Sequence, residues 1–231
     1  MERWQTVPDG SGDTLVDIDD RTELGAFITL PDAADGLVVF VHGSGSSRFS
    51  RRNRRVAEFL AGQGFATLLM DLLTPAEERI DSVTRELRFD IPMLARRVGA
   101  TLGWLSTRAA LQSHPIGLFG ASTGAAAALI AAAEHPETVS AVVSRGGRPD
   151  LAGDALGCVR APTLLIVGGA DPVVMELNRA AAQRITAPHE LLTIPGATHL
   201  FEEPGALEKV AQAATDWFAR HLRSRPGDAR S

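Results

Sequence analysis

Apolar residues fall in two kinds of run along this chain. Short continuous runs lie at 36–43 (Leu-Val-Val-Phe-Val at its centre), 65–73, 115–121, 139–144, 162–167 and 189–194. Runs of this length, closed by Gly, Asp or Ser, read as strands covered on both faces. Between them the period changes. Ile91, Leu94, Val98, Leu102 and Leu105 follow helical spacing, and Val210, Ala213, Trp217 and Leu222 share one side of a helix over 206–222. Helices are also predicted over 51–63, closed by Gly64, over the alanine-rich 125–133 and over 173–185. Segments 14–19 and 23–30 read as an antiparallel hairpin. The polar stretch 77–90 fits neither template. Strand and helix alternate from residue 36 onward, which predicts an α/β fold with a mostly parallel sheet and helices on both faces.

Function in such folds sits at the carboxyl ends of the strands. Ser44, Asp71, Ser122, Arg145, Asp171 and His199 all fall at those ends. The organising stretch is Gly120-Ala121-Ser122-Thr123-Gly124, with an apolar strand before it and a helix after it. A Gly-x-Ser-x-Gly turn in that setting forms a nucleophile elbow, which exposes a serine hydroxyl above the sheet. A serine needs a base, and the base needs a group to orient it. Of six histidines, His114 and His189 precede strands, His135 ends the elbow helix and His221 lies in the last helix. His42 ends a strand on the correct edge, but in a Gly-rich loop suited to shaping the site. His199 follows the last strand in a Gly-Ala-Thr-His turn and is the expected base. Asp171, after Gly-Gly-Ala at the end of the penultimate strand, is the expected orienting acid, and it doubles as the cap of the helix that begins at Pro172. Asp71 is expected to brace a loop. The Thr123 backbone N–H, at a helix start, and that of Ser44, in the loop His42-Gly43-Ser44-Gly45, are the expected oxyanion donors.

Composition narrows the setting. The 231 residues, 45% apolar, suit one domain, and a net charge of −5 speaks against a nucleic-acid partner. A single cysteine, Cys158, rules out an internal disulfide and fits a reducing, cytoplasmic compartment. No signal peptide or membrane helix is expected. No metal-ligand spacing and no phosphate-binding glycine loop is present.

His-Gly-Ser-Gly at 42–45, Gly-Ala-Ser-Thr-Gly at 120–124, Gly-Gly-Ala-Asp at 168–171 and Gly-Ala-Thr-His at 196–199 together resemble the α/β-hydrolases. Within that superfamily the chain is most similar to the dienelactone-hydrolase-like branch. The resemblance implies a single-domain α/β-hydrolase fold with a roughly eight-stranded sheet, and a Ser-His-Asp hydrolase without cofactor. Residues 1–35 would carry the hairpin, 36–222 the alternating core and 223–231 a polar tail. Dienelactone hydrolases carry a cysteine where this chain has Ser122, so their lactone is not carried over. Similar domains also occur fused to phosphoribosyltransferases. Only about fifteen residues separate the strands ending near 145 and starting near 162, too few for a cap domain, so an open site is expected. The expected partner is a small ester, and a homodimer is compatible with the pattern. Arg145 and Arg148 follow a strand end and are candidates for binding a substrate carboxylate or phosphate, beside His42 and Gly43. The Arg51–Arg55 run offers a second, weaker anion site. Two other readings stay open: a hydrolase of lactones, thioesters or amides, and a quiet scaffold used as a binding module.

Overall fold

The computed structural model describes residues 12–222. Strands β1 (Gly12–Asp19) and β2 (Thr22–Thr29) form the predicted hairpin. β3 (Leu37–Val41), β4 (Ala66–Met70) and β5 (Ile116–Ala121) are buried at every position, as continuous apolar runs require. β6 (Val139–Arg145), β7 (Thr163–Gly168) and β8 (His189–Ile194) complete one eight-stranded sheet in the order β1-β2-β4-β3-β5-β6-β7-β8. β2 pairs antiparallel with β1 and with β4, and every other pairing is parallel.

The strand order reverses at β3. From β3 the chain crosses to β4 on one side and then returns to β5 on the other. Loops leaving neighbouring strands in opposite directions open a crevice above their carboxyl ends.

Helices α1 (Arg51–Gly62) and α6 (Ala206–His221) cover one face, over a cluster containing Phe40, Phe65, Phe119, Trp217 and Phe218. α3 (Ile91–Ser106) and α4 (Thr123–Glu134) cover the other face, and α5 (Pro172–Ala182) extends that layer beside β7 and β8. α4 is almost wholly buried because its alanines let it lie close to the sheet.

The stretch without a clear period holds α2 (Pro75–Thr84) and a short 3-10 turn, Leu87–Phe89. Polar contacts rather than an apolar stripe define it. The Thr74 hydroxyl accepts from the Glu77 N–H at 3.2 Å, and Glu77 accepts from the Thr74 N–H at 2.8 Å. Arg97, buried in α3, grips both Glu77 oxygens at 2.8 and 2.6 Å and donates to the Leu72 carbonyl at 2.6 Å. Between β6 and β7 the chain forms a 3-10 segment, Pro149–Cys158, kinked at Gly153, and no cap domain. The polar tail expected over 223–231 and the first eleven residues lie outside the described residues.

Candidate active site

Ser122 stands between β5 and α4 with φ 51 and ψ −125. A non-glycine residue adopts such angles only where its surroundings force it. Its N–H donates to the Arg145 carbonyl at 3.2 Å, and its carbonyl accepts from the N–H groups of Ala125 at 3.1 Å and Arg148 at 3.0 Å. Gly120 and Gly124 make the turn possible. A Cβ at 120 would lie 2.4 Å from the Ala125 Cα, and one at 124 would lie 2.3 Å from the carbonyl oxygens of both Val41 and His42.

His199 and Asp171 meet as the sequence predicts. His199 Nδ1 lies 2.8 Å from Asp171 Oδ2. Asp171 Oδ1 accepts from the Val174 N–H at 3.3 Å, so one carboxylate both caps α5 and faces the imidazole. With Nδ1–H donating to Asp171, Nε2 keeps a lone pair. The turn that carries His199 is fixed from two sides. The Ala197 carbonyl accepts from the Ala170 N–H at 2.9 Å, and Glu203 accepts from the Thr198 N–H and hydroxyl at 3.0 and 2.6 Å. In the sequence Glu202 and Glu203 are weaker rivals to Asp171 as the orienting acid; the clamping role of Glu203 has no periodic signal there. Glu202 pairs with Arg52 at 2.9 Å.

His199 also abuts the end of β6. A Cβ at Gly146 would lie 3.1 Å from the His199 carbonyl oxygen and 3.6 Å from its Cε1. Ser122 thus meets Arg145, and His199 meets the next residue, Gly146. The Ser122 hydroxyl makes no hydrogen bond with a described residue, so it is free to turn onto Nε2 when a substrate seats.

Thr123 opens α4, with its N–H at the helix start, where the backbone donors are unpaired. The second expected donor differs from the prediction. The Ser44 N–H donates to the Thr123 hydroxyl at 2.8 Å and is therefore occupied. His42 does not present its ring to a ligand either. Its Nε2 accepts from the Leu72 N–H at 3.1 Å and its Nδ1 bonds the Gly43 carbonyl at 2.9 Å. The ring holds the loop to the end of β4. Gly43 permits the approach of that loop, since a Cβ there would come within 2.9 Å of the Ser122 Cβ.

Burial holds the His42 imidazole below its ordinary pKa, against the opposing pull of the Gly43 carbonyl and the Asp71 charge. The unfolded chain then takes up a proton, near a pKa of about 6.5, that the folded chain refuses. Stability is accordingly present at neutral pH and lost as pH falls. The melting temperature is expected to drop between about pH 7.5 and about pH 5.5, and His42→Gln should make that slope shallower. Equal slopes in the two proteins would contradict this account.

The remaining candidates sort cleanly. Asp71 accepts from the Arg48 N–H at 2.8 Å and pairs with its guanidinium, bracing the 42–50 loop as expected. Arg148 is committed to Asp150 through two hydrogen bonds of 2.9 and 2.8 Å, so it is not available to a substrate. Arg145 is buried, and nothing among the described residues accepts from its Nε or Nη1. Cys158 is exposed. His189 bonds the Ala187 carbonyl and His221 packs on Trp217. A pocket of about 450 Å³ adjoins the 42–50 loop. Ser44, Ser46, Phe49, Leu72, Leu94 and Glu78 are among the residues that line it. The segment around α2 thus contributes to the lining of this pocket. No helix among the described residues is long and apolar enough to cross a membrane.

Known proteins share this fold. A dienelactone hydrolase from Anabaena variabilis, known from its crystal structure, is 54% identical, with a TM-score of 0.90 over 92% of this chain and 98% of that one. Est1E from Butyrivibrio proteoclasticus shares the fold at 19% identity, with a TM-score of 0.75 over 91% of this chain and 98% of that one. A protein of Mycobacterium tuberculosis, provisionally named a phosphoribosyl transferase, is 62% identical over 195 residues, which are 84% of this chain. The match spans 43% of that relative's length. The sequence profile of the dienelactone hydrolase family matches residues 24–223, and the chain belongs to that family.

Proposed function

We propose that the protein is a serine hydrolase of carboxylic esters. The observation that carries this reading is the pairing of an Asp171-held His199 imidazole, at 2.8 Å, with a serine at the strained φ 51 of an elbow. Ser122 Oγ attacks the acyl carbon while His199 Nε2 takes its proton. His199 then gives that proton to the leaving alcohol oxygen, and an acyl-enzyme remains. Water, deprotonated by the same nitrogen, attacks the acyl carbon, and the acid leaves as Ser122 recovers its proton. Asp171 holds the tautomer and stabilises the imidazolium. The Thr123 N–H receives the oxyanion, and the Ser44 N–H joins it once the Thr123 hydroxyl turns away. The steps use only this chain's residues and water.

The short β6–β7 connection without a cap domain, and a pocket of about 450 Å³ beside the 42–50 loop, support esters of small or accessible substrates. The transferase name of the Mycobacterium tuberculosis relative belongs to a protein of which this chain matches 43%. The hydrolase profile covers residues 24–223 of this chain.

The test is intact mass after incubation with a fluorophosphonate. One adduct is expected on the wild type and none on Ser122→Ala. A folded wild type that takes no adduct would favour a quiet binding scaffold instead. An ester, thioester, lactone and amide panel then identifies the bond cleaved.

A further inference from the structure

Arg145 is the one arginine of the two predicted anion ligands that the fold leaves unspent. It ends β6, directly beside the elbow, since its own carbonyl accepts the Ser122 N–H at 3.2 Å. Along β6, Ala141 and Val143 face the α1 and α6 side of the sheet. The two-residue period of a strand sends Arg145 to the same side. Only 8% of the residue is exposed, and its Nε and Nη1 are buried with no acceptor. Its side chain forms no ion pair with a described residue. A buried charge without a partner is costly, and proteins ordinarily pair it.

The surroundings add positive charge rather than compensating it. Arg52, in the first turn of α1, acts on Arg145 as a like charge. Burial, and then Arg52, pull the Arg145 pKa down to about 10, which still leaves it protonated at neutral pH. Arg52 spends one nitrogen on exposed Glu202 at 2.9 Å, while its Nε is also buried without an acceptor. Both guanidinium groups thus hold buried, unused donors, and Arg52 reaches the segment after His199 through Glu202. Planar N–H forks of this kind match a carboxylate or phosphate, and an anion between them would relieve both their repulsion and their unmet hydrogen bonds.

We propose that Arg145, assisted by Arg52, forms an anion subsite beside Ser122, so that the hydrolase takes esters carrying a carboxylate or phosphate group. This rests on the hydrolase reading for its substrate, but the anion site itself is measurable without turnover.

Two measurements on the purified protein test it. The first is the ratio of kcat/KM for 4-nitrophenyl hydrogen glutarate over 4-nitrophenyl butyrate, with a phosphate-bearing 4-nitrophenyl ester as a third arm. The ratio is expected to fall at least tenfold in Arg145→Met, to fall less in Arg52→Gln, and to recover in part in Arg145→Lys. Whichever anionic arm loses more identifies the group recognised. The second is the shift in melting temperature with inorganic phosphate and with glutarate. A shift is expected in the wild type and should be absent in Arg145→Met. An unchanged ratio together with an unchanged shift in folded Arg145→Met would overturn the subsite and leave Arg145 a structural charge. Loss of the shift without any ester turnover in the wild type would keep the anion site and remove the hydrolase reading. If Arg145→Met does not fold, Arg145→Lys and Arg52→Gln carry both measurements, and no change in either would overturn the proposal.

Discussion

Ser122→Ala and His199→Ala are each expected to lower kcat on an activated ester by about 10⁶-fold, or about 8 kcal/mol of transition-state stabilisation. Asp171→Asn should cost less, about 10⁴-fold, because it leaves the nucleophile and base in place but removes the charge that steadies the imidazolium. The geometry explains the ranking. Asp171 touches only Nδ1, at 2.8 Å, and its second oxygen serves the start of α5. Because the three side chains act as a unit, Ser122→Ala with His199→Ala should be no slower than either alone. Single-turnover and steady-state rates on 4-nitrophenyl acetate would decide the matter. Losses that simply multiply would mean that the two residues work separately.

Gly124→Ala should be strongly destabilising for a substitution of one hydrogen by a methyl. The added Cβ would sit 2.3 Å from two backbone oxygens, those of Val41 and His42. Backbone at the end of a central strand cannot swing aside as a side chain does. Relief requires α4 to move from β3, and that movement pulls the His42–Ser44 loop from Thr123. A cost of about 3 kcal/mol is expected, which corresponds to about 6–12 °C in melting temperature for a domain of this size. Activity should fall as well, since the clash lies between Thr123, at the start of α4, and the His42–Ser44 loop. Gly103→Ala is the control. It lies within α3, and nothing stands within 4 Å of a Cβ there, so it should gain about 0.5 kcal/mol from helix propensity. A Gly124→Ala protein melting within about 2 °C of wild type would show that the elbow tolerates the side chain.

The architecture was readable because burial writes itself into the period. Strands covered on both faces must be apolar at every position, so β3, β5 and β7 announced themselves. Alternation with helices then required parallel pairing, and parallel pairing placed Ser122, Asp171 and His199 on one edge. The segment around α2 did not announce itself, because Ile80 and Val83 are exposed and its contacts are polar. Its one local signal was the Thr74-Pro75-Ala76-Glu77 capping box.

The chain by itself determined which residues could do chemistry, since that follows from residue type, from glycines where backbones cross and from position at a strand end. Only the tertiary structure decided which of them are free to do it. The Ser44 N–H is occupied by the Thr123 hydroxyl, the His42 ring by Leu72 and Gly43, and Arg148 by Asp150, while Arg145 is left without an acceptor. The reason is physical. Hydrogen-bond partners here come from residues on separate elements, or from a bend such as that joining Arg148 to Asp150, and no spacing along the chain encodes which donor reaches which acceptor first.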